Sequence, residues 1–190
     1  YTGLSETYLE NANLRVQYQR YLKEIVREDG MSAGRLDGRY LGQDFDNGGE
    51  IPDTDPSFYG IDGAYTAILN SYIRSDLGYT TDEQYYIIGG VTGRWNWNLN
   101  SRDTTYYKNV APYIGTAMKG NSELRVYNAA GYYDFATPFF GAEYSMNRSG
   151  IDNSRVTYSY FEAGHMVYLP EESLVRLNNE IREFIQAGKH

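Results

Sequence analysis

The sequence predicts an α/β fold, in which parallel strands alternate with helices. Two short runs in the last third are rich in β-branched and aromatic residues, as buried strands are: Leu124–Ala130 and Arg155–Phe161. Each run is followed by a segment with helical features. This order of strand, helix, strand and helix implies parallel strands joined by a right-handed crossover.

The two helices of this portion have recognisable starts. Thr137 and Pro138 suit an N-cap and a first helical residue, and the stretch FFGAEYSMNRSG continues that helix. Pro170 opens the last helix, whose apolar residues recur at helical spacing: Leu174, Leu177, Ile181, Phe184 and Ile185.

The upstream part reads as helices separated by irregular chain. One amphipathic helix is predicted between Ser5, a possible N-cap, and Gly30, a stop signal. A long loop rich in Gly, Asp and Asn follows from Gly34 to Asp55. A second helix, with an apolar stripe, closes near Gly78, and a short helix is expected at Val110–Lys119. We therefore expect helical and irregular connecting segments over 1–109 and an α/β portion over 110–190.

Composition narrows the class of protein. The chain of 190 residues is 41% hydrophobic and 22% charged, and these values are typical of a globular domain. The net charge of −8 disfavours nucleic acid or an anionic membrane as the main partner, because both require a basic surface. No apolar run is long enough to cross a bilayer. The absence of cysteine excludes disulfides and thiol chemistry.

One aspartate and one histidine stand just beyond the two predicted strands. Asp134 follows the first strand and His165 follows the second. Functional groups of parallel sheets gather beyond the carboxyl ends of the strands. The carboxylate could therefore fix the imidazole tautomer and leave the other ring nitrogen free as a base. Alternatively, Asp134 caps a turn and His165 is a loop histidine without a catalytic role.

The stretches that hold these residues, GYYDFATPFF and YFEAGHMVYLP, resemble the C-terminal part of serine carboxypeptidases. In that family the catalytic acid lies in a Gly-x-x-Asp-Phe segment and the catalytic histidine lies in a Gly-His-Met segment. Asp134 and His165 match these positions. Two upstream stretches are similar to cap and connecting regions of bacterial members: YLENANLRVQYQRYL and DPSFYGIDGAYTAILNSYIRSDLGY.

The resemblance implies a fold and an activity. It implies the C-terminal part of an α/β-hydrolase fold, preceded by helical cap segments within residues 1–109. The implied activity is release of C-terminal amino acids from peptides, without a cofactor, in a periplasmic or secreted enzyme. Met166 matches the methionine that lines the family's pocket for the leaving residue, so it is a predicted substrate-binding residue.

The nucleophile of the family lies in a Gly-x-Ser-x-Gly turn upstream of the acid. The stretch GMSAG centres this pattern on Ser32. A nucleophile elbow needs a buried strand before the serine and a helix after it. Here a polar helix end precedes Ser32 and no helical period follows it, so we expect Ser32 not to approach His165. An upstream part of the same enzyme would then supply the nucleophile, and this chain alone would be inactive.

Other readings remain open. A non-catalytic, tyrosine-rich module that binds peptides or glycans would also suit the 21 tyrosines, with Trp95 and Trp97 as stacking residues or as anchors of a loop on the core.

A histidine-based metal site is not expected, because the only other histidine is His190. The Asp-rich loop has the composition of a calcium loop but lacks its ligand spacing, so we expect it to be solvated. Loss of a neighbour beside the strand Leu124–Ala130 would favour a homodimer through the sheet edge.

Overall fold

The computed structural model describes residues 1–88, 90–98 and 107–188. The chain divides into two compact units: Tyr1–Ser57 together with Asn109–His190, and Phe58–Lys108. None of the helices in the described ranges is both long and apolar enough to span a membrane. His190 lies outside the described residues.

The N-terminal segment forms two short helices, α1 (Glu6–Asn11) and α2 (Tyr18–Glu24), where a single helix was predicted. The Ser5 side chain accepts a hydrogen bond from the Tyr8 backbone N–H, as expected of an N-cap. The helix cannot continue past α1 because Asn13 and Leu14 have left-handed backbone angles, with φ of 50° and 58°. A turn of 3₁₀ helix at Arg27–Asp29 then ends at Gly30.

Two three-residue strands, β1 (Met31–Ala33) and β2 (Leu41–Gln43), pair antiparallel and lead into the Asp-rich loop. Most residues of this loop are exposed, as expected of a solvated loop, but the loop also encloses a buried cation. The Lys23 ammonium donates to the Asp44 carboxylate and to the Asp46 carbonyl, and both charged side chains have no exposed surface. Asp53 closes the loop by accepting from the Asp46 N–H at 2.8 Å.

The helix predicted to close near Gly78 is observed as α3 (Pro56–Ser75). In the unit Phe58–Lys108, the segment after α3 is held to it by polar contacts. Arg74 donates to the backbone carbonyls of Thr81 and Glu83, and Asn70 accepts from the Tyr85 N–H at 3.1 Å. A 3₁₀ turn follows at Val91–Arg94. The stretch 91–107, predicted to be irregular, lies partly outside the described residues.

The remaining elements are α4 (Ala111–Gly120), β3 (Val126–Gly131), α5 (Phe139–Met146), β4 (Val156–Phe161) and α6 (Glu171–Gln186), with a 3₁₀ turn at Asn153–Arg155. Strands β3 and β4 pair in parallel from Val126↔Val156 to Gly131↔Phe161. A small apolar core contains buried Ala111, Met118 and Ile151, with apolar side chains of the helices and strands packed against it. The predicted strands and helices of the last third are thus present, with bounds within about two residues of those expected, except that α5 ends at Met146 and not near Gly150.

The predicted α/β-hydrolase fold is wrong for this chain. Among the described residues there are two sheets of two strands each, one antiparallel and one parallel, and no extended parallel sheet. The reason is that the described residues contain too few long strands to build such a sheet. Only β3 and β4 are long enough to pair in parallel, whereas β1 and β2 have three residues each and pair with one another. The architecture of the described residues is a mixture of helices and strands, with one β3–α5–β4 unit in the last third.

Candidate functional site

The candidate site begins at the carboxyl end of β3, where the chain turns at Asp134. The aspartate is buried, and each of its oxygens accepts two hydrogen bonds. Oδ1 accepts from the backbone N–H groups of Ala136 (2.7 Å) and Thr137 (2.9 Å). Oδ2 accepts from the Thr137 hydroxyl at 2.6 Å and contacts His165. The side chain of Asp134 is therefore fixed in one orientation by its own turn.

His165 lies in the loop after β4, beside Asp134. Its Nδ1 is 2.9 Å from Asp134 Oδ2, and the two side chains are 41% and 5% exposed respectively. A carboxylate can only accept, so Nδ1 carries the proton and Nε2 is the ring's acceptor in the neutral form. Within the described ranges Nε2 has no hydrogen-bond partner in the protein. The arrangement can therefore hold the partly exposed imidazole as a base.

The parallel register explains why these two residues meet. Gly131 and Phe161 are partners at the ends of β3 and β4, so both chains leave the sheet at the same edge. Backbone hydrogen bonds from Tyr132 to the Phe161 carbonyl (3.0 Å) and from Tyr133 to the Ala163 carbonyl (3.1 Å) keep the loops together.

Two glycines permit the close approach of these loops. A Cβ atom on Gly131 would meet the carbonyls of Ala163 and Gly164, and a Cβ atom on Gly164 would meet Leu36 and Asp37. A side chain at Gly131 would therefore force the end of β3 and the His165 loop apart, and one at Gly164 would force the His165 loop away from Leu36 and Asp37.

Thr137 has a different role from the one its sequence position suggested. Its side chain was expected to cap α5, but Pro138 occupies the N-cap position, and its side chain has no acceptor for the N–H groups of the first turn. The Thr137 hydroxyl instead donates to Asp134 Oδ2 and lies 3.1 Å from His165 Nδ1. Because its proton points to the carboxylate, its lone pairs face the Nδ1 proton. Thr137 is thus a third member of the cluster.

A segment distant in sequence, Arg35–Gly38, lies against both loops; we call it the bridging segment. The His165 N–H donates to the Leu36 carbonyl at 2.6 Å, and the Phe135 N–H donates to the Arg35 carbonyl at 3.1 Å. The Gly38 N–H donates to the Tyr133 carbonyl at 2.9 Å. The N-terminal residues and the C-terminal loops therefore form one structural unit around the candidate pair.

Charged groups near the bridging segment are paired with one another. Arg39 donates to both carboxylate oxygens of Asp37, at 3.0 and 2.6 Å, and to the Glu162 carbonyl at 3.2 Å. These hydrogen bonds to Asp37 are the main cause that raises the pKa of Arg39. The Tyr133 hydroxyl donates to Glu162 at 2.6 Å, and this hydrogen bond is the main cause that raises the pKa of Tyr133. The guanidinium of Arg39 also lies 4.4 Å from the centre of the Tyr133 ring.

The other residues singled out by sequence are placed as follows. Met166 is half-buried in the turn after His165, where its carbonyl accepts from the Leu169 N–H at 3.0 Å. Ser32 lies in β1, is only 1% exposed, and its hydroxyl has no hydrogen-bond partner among the described residues. It therefore makes no hydrogen bond to His165, as expected. The chain after β1 is a loop, so Ser32 lacks the helix of a nucleophile elbow.

Sequence reasoning missed the contribution of Thr137 and of the bridging segment. Thr137 could have been noticed because it lies three residues after Asp134, within reach of an aspartate turn. The bridging segment could not, since it is about 100 residues from Asp134 and carries no motif of its own.

An apolar cavity of about 590 Å³ borders Asp134 on the side of the N-terminal helices. Its aromatic lining includes Tyr18, Tyr21, Tyr132, Phe135 and Phe139. No cluster of three or more potential metal ligands occurs in the part of the chain that the structure describes.

Comparisons with protein-family models, with curated proteins and with solved structures found no match to this chain.

Proposed function

We propose that this chain supplies the catalytic acid and base of a serine-type carboxypeptidase. The observation that carries the proposal is the 2.9 Å contact between His165 Nδ1 and Asp134 Oδ2, together with the free Nε2 of a partly exposed ring. The proposal is also supported by the sequence resemblance of the Asp-Phe and Gly-His-Met segments. An upstream part of the same enzyme would supply the nucleophilic serine.

The proposed roles are those of the acid and the base of a catalytic triad. His165 Nε2 takes the proton of the serine hydroxyl as the serine oxygen attacks the last peptide carbonyl. The C–N bond then breaks, and the proton passes from Nε2 to the leaving amino acid. Water next attacks the acyl-enzyme by the same route, which releases the shortened peptide. In this proposal Asp134 keeps Nδ1 protonated and stabilises the imidazolium, and Met166 contacts the leaving residue, as the sequence resemblance implies.

The test is amino-acid release from an N-blocked dipeptide at mildly acidic pH by the whole enzyme that contains this chain. His165→Ala should abolish turnover because the general base is lost. Asp134→Asn should lower turnover by about 10⁴-fold, the effect of the corresponding change in another serine protease, because it favours the wrong tautomer.

Asp152→Asn is the matched control. Asp152 also accepts from neighbouring groups in a short turn, but it is an exposed residue that contacts neither Asp134 nor His165. Near-normal turnover after Asp134→Asn, or turnover by the 190-residue chain without any upstream part, would contradict the proposed roles.

A second function is favoured by one observation. Trp95 and Trp97 are 63% and 57% exposed, with ring centres 6.4 Å apart, so they do not anchor a loop on a core. Exposed aromatic pairs of this kind suit stacking on peptides or sugars. Absence of peptidase activity in the whole enzyme, combined with a change of tryptophan fluorescence on adding a peptide or an oligosaccharide, would favour a binding module.

A further inference from the structure

We infer that Asp55 is a positioning residue, which acts through the bridging segment on both Asp134 and His165. The effect of Asp55 on catalysis rests on the proposed function. Its effect on the positions of the two loops does not. Asp55 touches neither member of the pair. One of its carboxylate oxygens anchors the Arg35 N–H directly and the Leu36 N–H through Ser57, and the carbonyls of these same two residues accept from the acid loop and the base loop.

The first path runs from Asp55 to the acid loop. Asp55 Oδ1 accepts from the Arg35 N–H at 3.0 Å, and the Arg35 carbonyl accepts from the N–H of Phe135, the residue after Asp134, at 3.1 Å. Arg35 is thus held by Asp55 through its N–H and by the acid loop through its carbonyl. The first path therefore fixes the backbone on which Asp134 is carried.

The second path runs to the base loop. The Ser57 hydroxyl donates to Asp55 Oδ1 at 2.5 Å and accepts from the Leu36 N–H at 3.0 Å. The Leu36 carbonyl accepts from the His165 N–H at 2.6 Å. Ser57 is 4% exposed, so water does not readily replace it as the partner of Leu36. The two paths converge on a single oxygen of Asp55.

Packing makes this path sensitive to small shifts. A Cβ atom on Gly164 would meet Leu36 and Asp37, and a Cβ atom on Gly34 would meet the Ser57 side chain. The bridging segment therefore fits closely between its anchor and the His165 loop. A displacement at Asp55 moves the backbone at His165, and a shift of well under 1 Å is enough to weaken a hydrogen bond of 2.9 Å.

The test measures the His165 Nδ1 proton by NMR in the chain with His190→Gln, which leaves His165 as the only histidine. Asp55→Ala should raise the solvent-exchange rate of this proton about tenfold, corresponding to the loss of about one hydrogen bond. Asp55→Asn retains a side-chain carbonyl oxygen and should restore a rate near that of the unsubstituted chain.

Asp53→Ala is the matched control. Asp53 is in the same loop and also accepts from a backbone N–H, that of Asp46, but it does not contact the bridging segment. It should leave the Nδ1 proton unchanged. If Asp55→Ala does not fold, Ser57→Ala tests the inference, because it removes the hydroxyl that links Asp55 to the Leu36 N–H and should give the same increase.

The inference is overturned if folded Asp55→Ala or Ser57→Ala leaves the exchange rate unchanged, or if Asp53→Ala raises it equally. In the whole enzyme, Asp55→Ala should lower kcat about tenfold with little change in KM, and Asp55→Asn should restore kcat. The expected NMR result in a whole enzyme without peptidase activity would refute the proposed function and leave the positioning role intact. Normal kcat after Asp55→Ala in an active enzyme would refute the positioning role alone.

Discussion

At the scale of single residues, Thr137 contacts both Asp134 and His165 and fixes the orientation of the Asp134 carboxylate. Its backbone N–H and its hydroxyl donate to different oxygens of the same carboxylate, at 2.9 and 2.6 Å. The hydroxyl oxygen also lies 3.1 Å from His165 Nδ1. Removal of the hydroxyl would leave Asp134 Oδ2 with the imidazole as its only partner among the described side chains.

We predict that Thr137→Val lowers the free energy of unfolding by about 1–2 kcal/mol, because a buried carboxylate loses a donor. Valine keeps the branched shape of threonine, so the loss reports the hydroxyl and not the packing. Thr137→Ser keeps the hydroxyl and should retain most of the stability. Urea unfolding of the three proteins measures the difference, and equal midpoints for Val and Thr would show that the hydroxyl contributes nothing.

At the scale of elements, the Lys23 ammonium organises the loop after β2. The ammonium takes the central place that a calcium ion has in loops of similar composition, with a carboxylate and a carbonyl as its acceptors. Burial is the largest influence on Asp44 and opposes its ionisation. Hydrogen bonds from Lys23 and Asp53 together outweigh it, so the pKa of Asp44 is lowered.

Lys23→Met should destabilise the chain by about 3–5 kcal/mol, because it leaves the Asp44 carboxylate buried without an opposite charge. The double variant Lys23→Met with Asp44→Leu should be more stable than Lys23→Met alone, since no charge then remains buried. Arg20→Met is a suitable control, because the Arg20–Glu50 pair is solvent-exposed and should contribute no more than about 1 kcal/mol.

The lowered pKa of Asp44 also sets the direction of a pH effect. Its contribution to stability is complete above its ordinary pKa of 3.8 and is lost as the pH falls through the lower value of the folded state. Stability should therefore decline below about pH 4, and the double variant should decline less steeply. Denaturant midpoints measured between pH 2 and pH 6 would show this, and parallel profiles for the two proteins would argue against it.

Local sequence signals were sufficient for most elements and insufficient for others. The helix Ala111–Gly120 and the strands β3 and β4 were predicted, because apolar spacing and β-branched residues act over short distances. The single helix between Ser5 and Gly30 was wrong, since left-handed angles at Asn13 and Leu14 break a pattern that is apolar at helical spacing. Burial of Lys23 was not predicted because its partner Asp44 lies 21 residues away.

At the scale of the whole molecule, the fold class was the main error. The order of strand, helix, strand and helix did give a parallel pair, and Asp134 and His165 do meet at its carboxyl end. The inference from one such unit to an extended sheet failed because the rest of the described chain provides no further strand of comparable length. Local geometry at a strand end is set by two strands, whereas a fold class requires all of them.

The parallel sheet of two strands suggests a test of association. In the described ranges β3 and β4 pair only with each other, so each strand has one edge without a strand beside it. Such edges pair readily with another chain. We expect sedimentation equilibrium to show a dimer that depends on protein concentration.

Ala129→Lys, at an exposed position of β3, should weaken the dimer, because a charge on an edge strand opposes pairing. Thr157→Lys places the same charge at an exposed position of β4 and shows which strand is used. A monomer at all concentrations would refute association through either edge.

The enclosure of Lys23 gives the chain an internal reporter of local opening. An amine-reactive reagent can reach the exposed Lys119 in the folded state, but it can reach Lys23 only after the loop that contains Asp44 has detached. The ratio of the two labelling rates therefore measures how often that loop opens. Because the bridging segment is anchored at Asp55, close in sequence to the end of this loop, the same ratio compared between the unsubstituted chain and Asp55→Ala would show whether the anchor and the loop open together.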